Sequence, residues 1–297
     1  MSDQRFLPSD IASIGALAAE LGYPEPVMKP MKQAAHLIPA SVPLAALSDP
    51  AQAQSAWEQT TRLLPDWQED DGMALLAVTT AAACETRKRY AAAGIPDAVF
   101  LETMKCIPRF LYESKELFGR WAFDRGFWTW RQTGCLLFRL GTLEFEYRTL
   151  EDGEPLPEGL YAGDPVLNVH IPSDARLSRE NLDDSYRQAK AFFGGTIAGP
   201  WTAHPPKEIL CDSWLLAPTL DLLLPETSGI RMFASDYRRY HQLEDSNAFF
   251  RWLYQLPSPV AYEALPENTS LQRKLKQHLL SGGYMGIAWG RLASSSN

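Results

Sequence analysis

Apolar residues in the first 120 positions recur at the spacing of amphipathic helices. Between residues 11 and 21, isoleucine and leucine follow one another at steps of three or four residues, which places them on one side of a helix. Ser9 can cap the start of this helix and Gly22 can end it. The alanine-rich segment 73–93 predicts a longer helix, since alanine has the highest helix propensity and basic residues suit its last turns.

Prolines set the expected helix boundaries in the same region. Pro96 begins a predicted helix that runs to Ile107, and Pro108 is expected to break or kink it. There are six prolines from Pro24 to Pro50 inclusive, with little periodicity between them. This stretch is therefore predicted to be an extended connector, with a further helix after it.

From Thr133 the apolar period changes from about 3.6 residues to two, which is typical of strands. The runs TGCLLFRL and TLEFEYRTL meet at Gly141 and predict an antiparallel hairpin. Further strands are predicted at DPVLNVHIP, KEILCDSWLL, GIRMFAS and YMGIAWGRL. Helices are predicted at RLSRENLDDSYRQAKAFFGG, after Ser246, and after the capping box that begins at Thr269. The change of period predicts a helical domain over residues 1–120 and a mixed α/β domain over residues 121–297.

Composition and charge exclude several classes of protein. The chain is 45% hydrophobic and 22% charged, which is unlike fibrous or largely disordered proteins. Its formal net charge of −8 gives no basic footprint for nucleic acid. No apolar run approaches the about 18 residues that a membrane span needs, and the first residues lack the pattern of a signal peptide. We therefore expect a cytoplasmic protein without a membrane span.

Cysteine and histidine spacing predicts neither disulfides nor a metal site. Cys84, Cys106, Cys135 and Cys211 form no CxxC pair, and a domain of this size needs no disulfide to fold. The five histidines are scattered and none lies at ligand spacing from a cysteine or another histidine. We expect four free thiols and no bound metal.

Residues able to do chemistry are identified by their position on strands, since the common motifs are absent. The sequence contains no GxGxxG, GxxxxGK[ST], GxSxG or HExxH, which removes the main support for nucleotide-binding, hydrolase and zinc-protease folds. In NVHIP, Asn168 and His170 share one face of a strand. In ILCDSW, Cys211 and Ser213 share a face and Asp212 lies on the other.

Several phrases of this sequence resemble those of bacterial two-domain acyltransferases. RQTGCLLFRLGTLEFE, NVHIP followed by a helix ending in AFF, CDSWLLAPTLDLLLP and SGIRMF are similar to the GNAT-like C-terminal domain of that family. AAAGIPDAVFLETMKCIPRFL is similar to the end of the helical N-acyltransferase N-terminal domain that precedes it. The resemblance implies an α+β fold in which the second domain has a largely antiparallel central sheet.

The resemblance also implies an activity, the transfer of an acyl group from acyl-CoA to a small amine or hydroxyl acceptor. Coenzyme A is then a co-substrate, no metal is needed, and the thioester lies where the third and fourth strands separate. Oligomeric state is not implied. The alternative is a catalytically silent binding or assembly protein that keeps only the scaffold, because a fold does not by itself determine a function.

The expected pyrophosphate site departs from the family pattern. GNAT enzymes bind pyrophosphate on backbone N–H groups of a glycine-rich turn at a helix N-terminus. Here residues 173–180 contain no glycine, and Asp174 adds an unfavourable charge. Arg176 and Arg179 could compensate by pairing with phosphate, with Ser178 beside them at the start of the helix.

Each candidate catalytic residue has a structural interpretation beside the functional one. His170 could be the general base, or a strand-end histidine bonded to backbone groups. Glu144 and Glu146 could be a base or an amine-binding pair, or the solvated face of a hairpin. Cys211 could be a nucleophile, or a small buried hydrophobic residue.

Further residues are candidates for substrate binding. Asn168, Ser213, Trp214 and Trp130 lie on or near the predicted strands and could line the site. The tryptophans serve equally well as core residues or as walls of an acyl pocket. A basic cluster over residues 238–241 is interpreted as the exposed face of a helix.

Overall fold

A computed structural model describes residues 6–66, 69–256 and 259–293 of this chain. They divide into two compact units. One contains the residues up to Leu140 together with Thr196–Thr202, and the other contains Gly141–Gly195 together with the residues from Ala203 on. The boundary drawn at residue 120 stays a prediction.

The first unit is helical, as predicted. Its helices are α1 (Pro8–Glu20), α2 (Glu25–Ala35), α3 (Ala53–Leu63), α4 (Met73–Ala93), α5 (Asp97–Met104), α6 (Cys106–Phe118) and α7 (Gly126–Thr133).

Helix α4 is the centre of this unit and packs against α1, α2, α5 and α7. Its buried threonines satisfy their hydroxyl groups locally, because Thr80 and Thr86 donate to the carbonyls of Leu76 and Ala82 at 2.7 and 2.9 Å. Gly72 precedes the helix with a φ of 74°. A Cβ there would lie 2.0 Å from the Phe123 carbonyl oxygen, so only glycine fits.

Two predictions in the helical unit are wrong. The segment expected to be an extended connector contains α2, whose buried residues Val27, Met31 and Ala35 are spaced by four. Pro26 in its first turn is tolerated because the N–H groups there have no helical partner, whereas Pro30 lies inside the helix. The break expected at Pro108 occurs earlier, at Lys105. Pro108 lies in the first turn of α6, where proline is compatible with a helix.

The remaining elements form the mixed α/β part of the chain, although residues 137–140 and 200–202 are grouped with the first unit. They are β1 (Leu137–Leu140), β2 (Leu143–Thr149), β3 (Pro165–His170), α8 (Arg179–Gly194), α9 (Pro200–Ala203), β4 (Ile209–Ser213), α10 (Thr219–Leu223), α11 (Gly229–Ser235), β5 (Tyr237–Leu243), α12 (Ala248–Trp252), α13 (Ser270–Leu280) and β6 (Ile287–Leu292).

The six strands lie in the order β1-β2-β3-β4-β6-β5. β2–β3, β4–β6 and β5–β6 pair antiparallel, and β3–β4 pairs parallel. The predicted fold class is therefore confirmed: a helical N-terminal part is followed by a mixed α/β part with a mostly antiparallel sheet. This topology brings the ends of β3 and β4 side by side.

Two predictions in the α/β unit are also wrong. GIRMFAS is the helix α11, because Ser228 caps its start by accepting from the Arg231 N–H at 3.1 Å. Residues 238–241 belong to strand β5 and not to an exposed helix. A bulge between Arg239 and His241 interrupts the pairing of β5 with β6, so Tyr240 is the extra residue of the bulge.

Candidate active site

Strand β2 presents acidic side chains on one face and apolar side chains on the other. Glu144 and Glu146 alternate with Leu143, Phe145 and Tyr147, as the period of a strand requires. The glutamates are nevertheless buried, with only 3% and 7% of their surface exposed. The interpretation of these residues as a solvated hairpin face is therefore wrong. Buried carboxylates are costly unless they are paired, so the partners of these two residues decide how their burial is tolerated.

His170 is one partner of this acidic face. Its Nε2 lies 2.7 Å from Oε2 of Glu146, and both side chains are largely buried. In the strand register Glu144 is opposite His170 and Glu146 is opposite Asn168, so the contact is diagonal. A carboxylate that accepts the Nε2–H fixes the imidazole tautomer and leaves Nδ1 as the nitrogen that carries the lone pair. This is the arrangement of a general base held by a third group.

The adjoining strands separate next to His170. The parallel register between β3 and β4 comprises Leu167 with Ile209 and Asn168 with Leu210, and both strands continue beyond it, to His170 and Ser213. From Leu210 to Ser213, β4 pairs on its other side with β6. Main-chain groups of two diverging parallel strands are suited to hydrogen bonding an extended, amide-containing ligand between them.

A side-chain bridge spans the two strands where they begin to separate. Asn168 Nδ2 donates to Asp212 Oδ1 at 2.6 Å. The side chains share a face because Asn168 is paired with Leu210, two residues before Asp212. Asn168 is 4% exposed, whereas Asp212 is exposed. The bridge therefore reaches from the interior to the rim of the site.

An ion pair lies farther along the same face of β2. Both guanidinium NH2 groups of Arg148 bond to the Glu154 carboxylate at 2.8 Å. Burial raises the pKa of Glu154, but Arg148 and the Glu151 N–H lower it by more, so the net pKa is below its ordinary value. Burial raises the pKa of the Tyr240 hydroxyl well above its ordinary value, and Asp212 and Glu154 raise it further. Tyr240 thus remains protonated beside these charges.

Cys211 lies on the opposite face of the sheet. It is fully buried, and its position in β4 aligns it with Phe145 on the side that α8 covers. Burial raises the pKa of its thiol well above the ordinary value. Because the thiolate is the reactive form, this environment opposes a nucleophilic role and favours the interpretation as a small buried hydrophobic residue.

Three other predicted site residues have local structural roles. Ser213 Oγ accepts from the Leu215 N–H at 3.1 Å and caps the short helical turn that contains the half-buried Trp214. Trp130 belongs to α7 in the helical unit, where the Arg131 guanidinium lies 4.4 Å from its ring centroid. Roles for these residues in substrate binding stay predictions.

Both arginines of the expected pyrophosphate turn are exposed, and one of them is paired with carboxylates. Arg179 makes two hydrogen bonds to the Asp236 carboxylate, at 2.6 and 2.9 Å, and an ion pair with Asp183. Ser178 Oγ caps α8 by accepting from the Asn181 N–H. Arg176 is exposed. Arg179 is exposed as well, but it would have to exchange its carboxylate partners for phosphate.

The structure thus brings together His170, Glu144 and Asn168 of the predicted residues and separates Cys211 from them. Sequence reasoning missed Glu146 as the partner of His170 and Asp212 as the partner of Asn168. The sequence did contain a signal, namely alternating glutamates in one strand and a histidine in the next. Matching the histidine to one glutamate required the register of β2 against β3, and the connecting loop 150–164 contains no turn motif that sets this register.

No candidate metal cluster of histidine, cysteine, aspartate or glutamate is present in the described parts of the chain. Among the same residues, no helix is long and apolar enough to cross a membrane.

Family profiles match both parts of this chain. The profile of the N-acyltransferase N-terminal domain matches residues 3–135, and that of the GNAT-like C-terminal domain matches residues 137–292. No curated protein sequence matches the chain significantly.

Solved structures of acyltransferases have the same fold. An acyltransferase in complex with decanoyl-CoA and teicoplanin superposes with a TM-score of 0.75 at 20% identity, covering 94% of this chain and 87% of that one. An acyltransferase with decanoyl-CoA gives 0.71 at 22% identity, with 93% and 86% covered. A third, with CoA and 10C-teicoplanin, gives 0.65 at 19% identity, with 94% and 99% covered.

The GNAT-like profile alone covers more than half of the chain, and the N-terminal profile accounts for most of the rest. The chain therefore belongs to the acyltransferase family that joins an N-acyltransferase N-terminal domain to a GNAT-like C-terminal domain.

Proposed function

We propose that this protein transfers an acyl group from an acyl-CoA to an amine or hydroxyl acceptor, with His170 as the general base and Glu146 as the group that orients it. The observation that carries the proposal is the 2.7 Å contact between His170 Nε2 and Glu146 Oε2, located where β3 and β4 diverge. A base that removes a proton in the transition state typically contributes about 10²- to 10⁴-fold to the rate.

The chemistry requires little beyond positioning and proton transfer. The acceptor attacks the thioester carbonyl carbon, a bond to that carbon forms, and the carbon–sulfur bond breaks. The proton leaves the acceptor for Nδ1 of His170 and passes to the departing thiolate of CoA. Glu146 stabilises the imidazolium that forms between these two transfers.

The donor is proposed to be an acyl-CoA of medium chain length. Solved relatives with this fold hold decanoyl-CoA and octanoyl-CoA. The divergence of β3 and β4 supports binding of the amide-rich pantetheine arm along their main-chain groups. The acceptor class has less support than the donor. Two solved acyltransferases contain teicoplanin or a derivative of it, and they are 20% and 19% identical in sequence to this chain.

A two-part assay tests the proposal. Thermal unfolding is followed with free CoA and with acetyl-, octanoyl- and decanoyl-CoA, because a ligand present at 100 times its dissociation constant adds about 2.7 kcal/mol of stability. Release of the CoA thiol is then measured with each donor against amines, alcohols and a glycopeptide. We expect a shift with octanoyl- or decanoyl-CoA and thiol release that depends on an acceptor. The absence of both a thermal shift and thiol release would overturn the proposal in favour of a silent scaffold.

Two matched arginine variants examine the pyrophosphate end. Arg176→Ala is expected to raise the KM for acyl-CoA, and more strongly at low salt, because screening weakens a phosphate–guanidinium pair. Arg179→Ala leaves Asp236 without its bidentate partner, so its main effect is expected on stability. The reverse pattern would place the phosphates at Arg179.

A further inference from the structure

Asn168 lies at the centre of the polar face. It is opposite Glu146 in the register and two residues before His170 on the same side of β3. Alternate residues of a strand are roughly 6 to 7 Å apart. An atom placed between the Asn168 and His170 side chains is therefore within hydrogen-bond reach of both.

The orientation of the Asn168 amide follows from its partner. Asp212 offers a carboxylate oxygen, which accepts hydrogen bonds, so the atom that faces it at 2.6 Å is the donor Nδ2. The amide oxygen Oδ1 is turned the other way. In the part of the chain that the structure describes, this buried oxygen has no hydrogen-bond partner.

A buried hydrogen-bond acceptor without a partner requires an explanation. Buried side-chain polar atoms in folded proteins are nearly always hydrogen bonded, because an unmade bond leaves the desolvation cost uncompensated. The Asn168 side chain is 4% exposed and the bridge to Asp212 prevents the amide from rotating to use Oδ1 elsewhere. A ligand that carries a hydrogen-bond donor would complete the site.

We propose that Asn168 selects an amine as the acyl acceptor. Its Oδ1 accepts a hydrogen bond from the amine N–H that is not directed to His170. This inference rests on the proposed function and assigns Asn168 as a specificity-determining residue.

The number of protons on the attacking atom explains the expected selectivity for amines over alcohols. A neutral primary amine has two N–H groups and one lone pair. With one N–H directed to His170 Nδ1 and the other to Asn168 Oδ1, the lone pair is left for the thioester carbon. After attack, one proton passes to His170 and on to the CoA thiolate, and the other remains as the amide N–H of the product, still bonded to Oδ1.

An alcohol cannot satisfy both acceptors. It has a single proton, which His170 needs, so its oxygen would present a lone pair to the Asn168 Oδ1. The ester product also lacks a hydrogen to donate. A site built around a hydrogen bond discriminates strongly against an analogue without the donor, because the buried group is then left unpaired.

The test compares amines with alcohols of the same skeleton. Glucosamine with glucose and hexylamine with hexanol are offered together with decanoyl-CoA, and CoA thiol release gives the ratio of kcat/KM for amine over alcohol. Where the alcohol is not acylated, its inhibition constant against the amine replaces its kcat/KM. Asn168→Leu has a similar size without polar atoms and is expected to lower the ratio by roughly 10- to 100-fold.

Two further variants separate selectivity from the strand bridge. Asp212→Asn keeps a carbonyl acceptor for Nδ2 and is expected to leave the ratio nearly unchanged. The double variant Asn168→Asp/Asp212→Asn reverses the bridge and still offers an oxygen to the acceptor N–H, so it is expected to keep the amine preference. Asn168→Ala serves in place of Asn168→Leu if that variant does not fold.

The outcomes distinguish this inference from the function on which it rests. If wild-type protein binds decanoyl-CoA and acylates amines but Asn168→Leu lowers amine and alcohol rates equally, Asn168 only bridges the strands and the inference is overturned alone. Loss of the amine preference in the double variant would overturn it as well. If wild-type protein neither binds nor consumes any acyl-CoA, the proposed function fails and this inference with it.

Discussion

The two faces of the sheet in the α/β unit differ in burial and in chemistry. Phe145 and Cys211 are fully buried on one face, where Tyr186 of α8 packs edge-on against Phe145 at 6.5 Å. On the other face Glu146, Asn168 and His170 are held by hydrogen bonds between side chains. The first face resembles any protein core, whereas the second carries groups whose burial opposes folding.

This difference separates stability from chemistry. Burying apolar area stabilises the fold by about 25 cal/mol per Å², whereas a buried carboxylate–histidine pair seldom exceeds the stability of apolar residues of the same volume. Proteins that retain such groups commonly do so at sites of function. Substitutions on the α8 face should therefore change stability, and substitution of His170 on the polar face should change activity.

The largest expected effect is on activity at His170. His170→Gln should lower kcat by about 10²- to 10⁴-fold, because a proton transfer in the transition state is lost, while the thermal shift given by acyl-CoA stays the same. Steady-state thiol release measures the first and thermal unfolding the second. The exposed His36 supplies the matched control, His36→Gln. Full activity of His170→Gln would move the base to Glu144 or to a water molecule.

The largest effect on stability is expected at Phe145. Phe145→Ala removes a fully buried ring and should lower the free energy of unfolding by about 3 to 5 kcal/mol. Denaturant unfolding measures this change. Leu222→Ala, at a residue 79% exposed, should have almost no effect. Equal losses in the two variants would contradict the assignment of Phe145 to the packed core.

A smaller effect is expected for the Arg148–Glu154 pair. Glu154→Gln should lower stability at neutral pH by about 1 to 2 kcal/mol, between the values typical of exposed and buried pairs. Because the folded-state pKa of Glu154 is lowered, its contribution is present above the unfolded pKa and is lost as pH falls through the folded pKa. Unfolding measured from neutral to acidic pH should therefore show the variant and wild type converging. A constant difference would exclude the ion pair as the cause.

The smallest effect is expected for Cys211. Cys211→Ala should keep turnover near the wild-type value, because burial holds the thiol protonated. In native protein Cys211 should resist thiol reagents while the partly exposed Cys84, whose pKa burial raises to about 11, reacts first, though slowly. Mass spectrometry of alkylated protein measures the order. Loss of activity in Cys211→Ala, with stability intact, would restore the nucleophile hypothesis.

Sequence patterns predicted most elements whose apolar face is continuous. The helices α1, α4 and α8 and the strands β3, β4 and β6 lie close to their predicted positions, since each has a clear period and capping residues or prolines at its ends. α2 was missed because its prolines outweighed the spacing of Val27, Met31 and Ala35. α11 and β5 were exchanged in type, because short segments are decided by caps and by pairing with neighbours.

The candidate site was predicted residue by residue but not pair by pair. Alternation along a strand identified which side chains share a face, and so placed Asn168 with His170. It could not identify Glu146 as the residue that holds the imidazole. That contact depends on the register of β2 against β3, and a shift of one residue would turn the acidic side chains to the opposite face.

By itself, the sequence determined most of the helices and strands, the change from a helical to a mixed part, and the side chains able to do chemistry, because these depend on local periodicity and residue type. Only the tertiary structure decided that Glu144 and Glu146 are buried, that His170 contacts Glu146 and Asn168 contacts Asp212, and that Cys211 faces the other side of the sheet. Burial and pairing depend on strand register and strand order, which join residues distant in the chain.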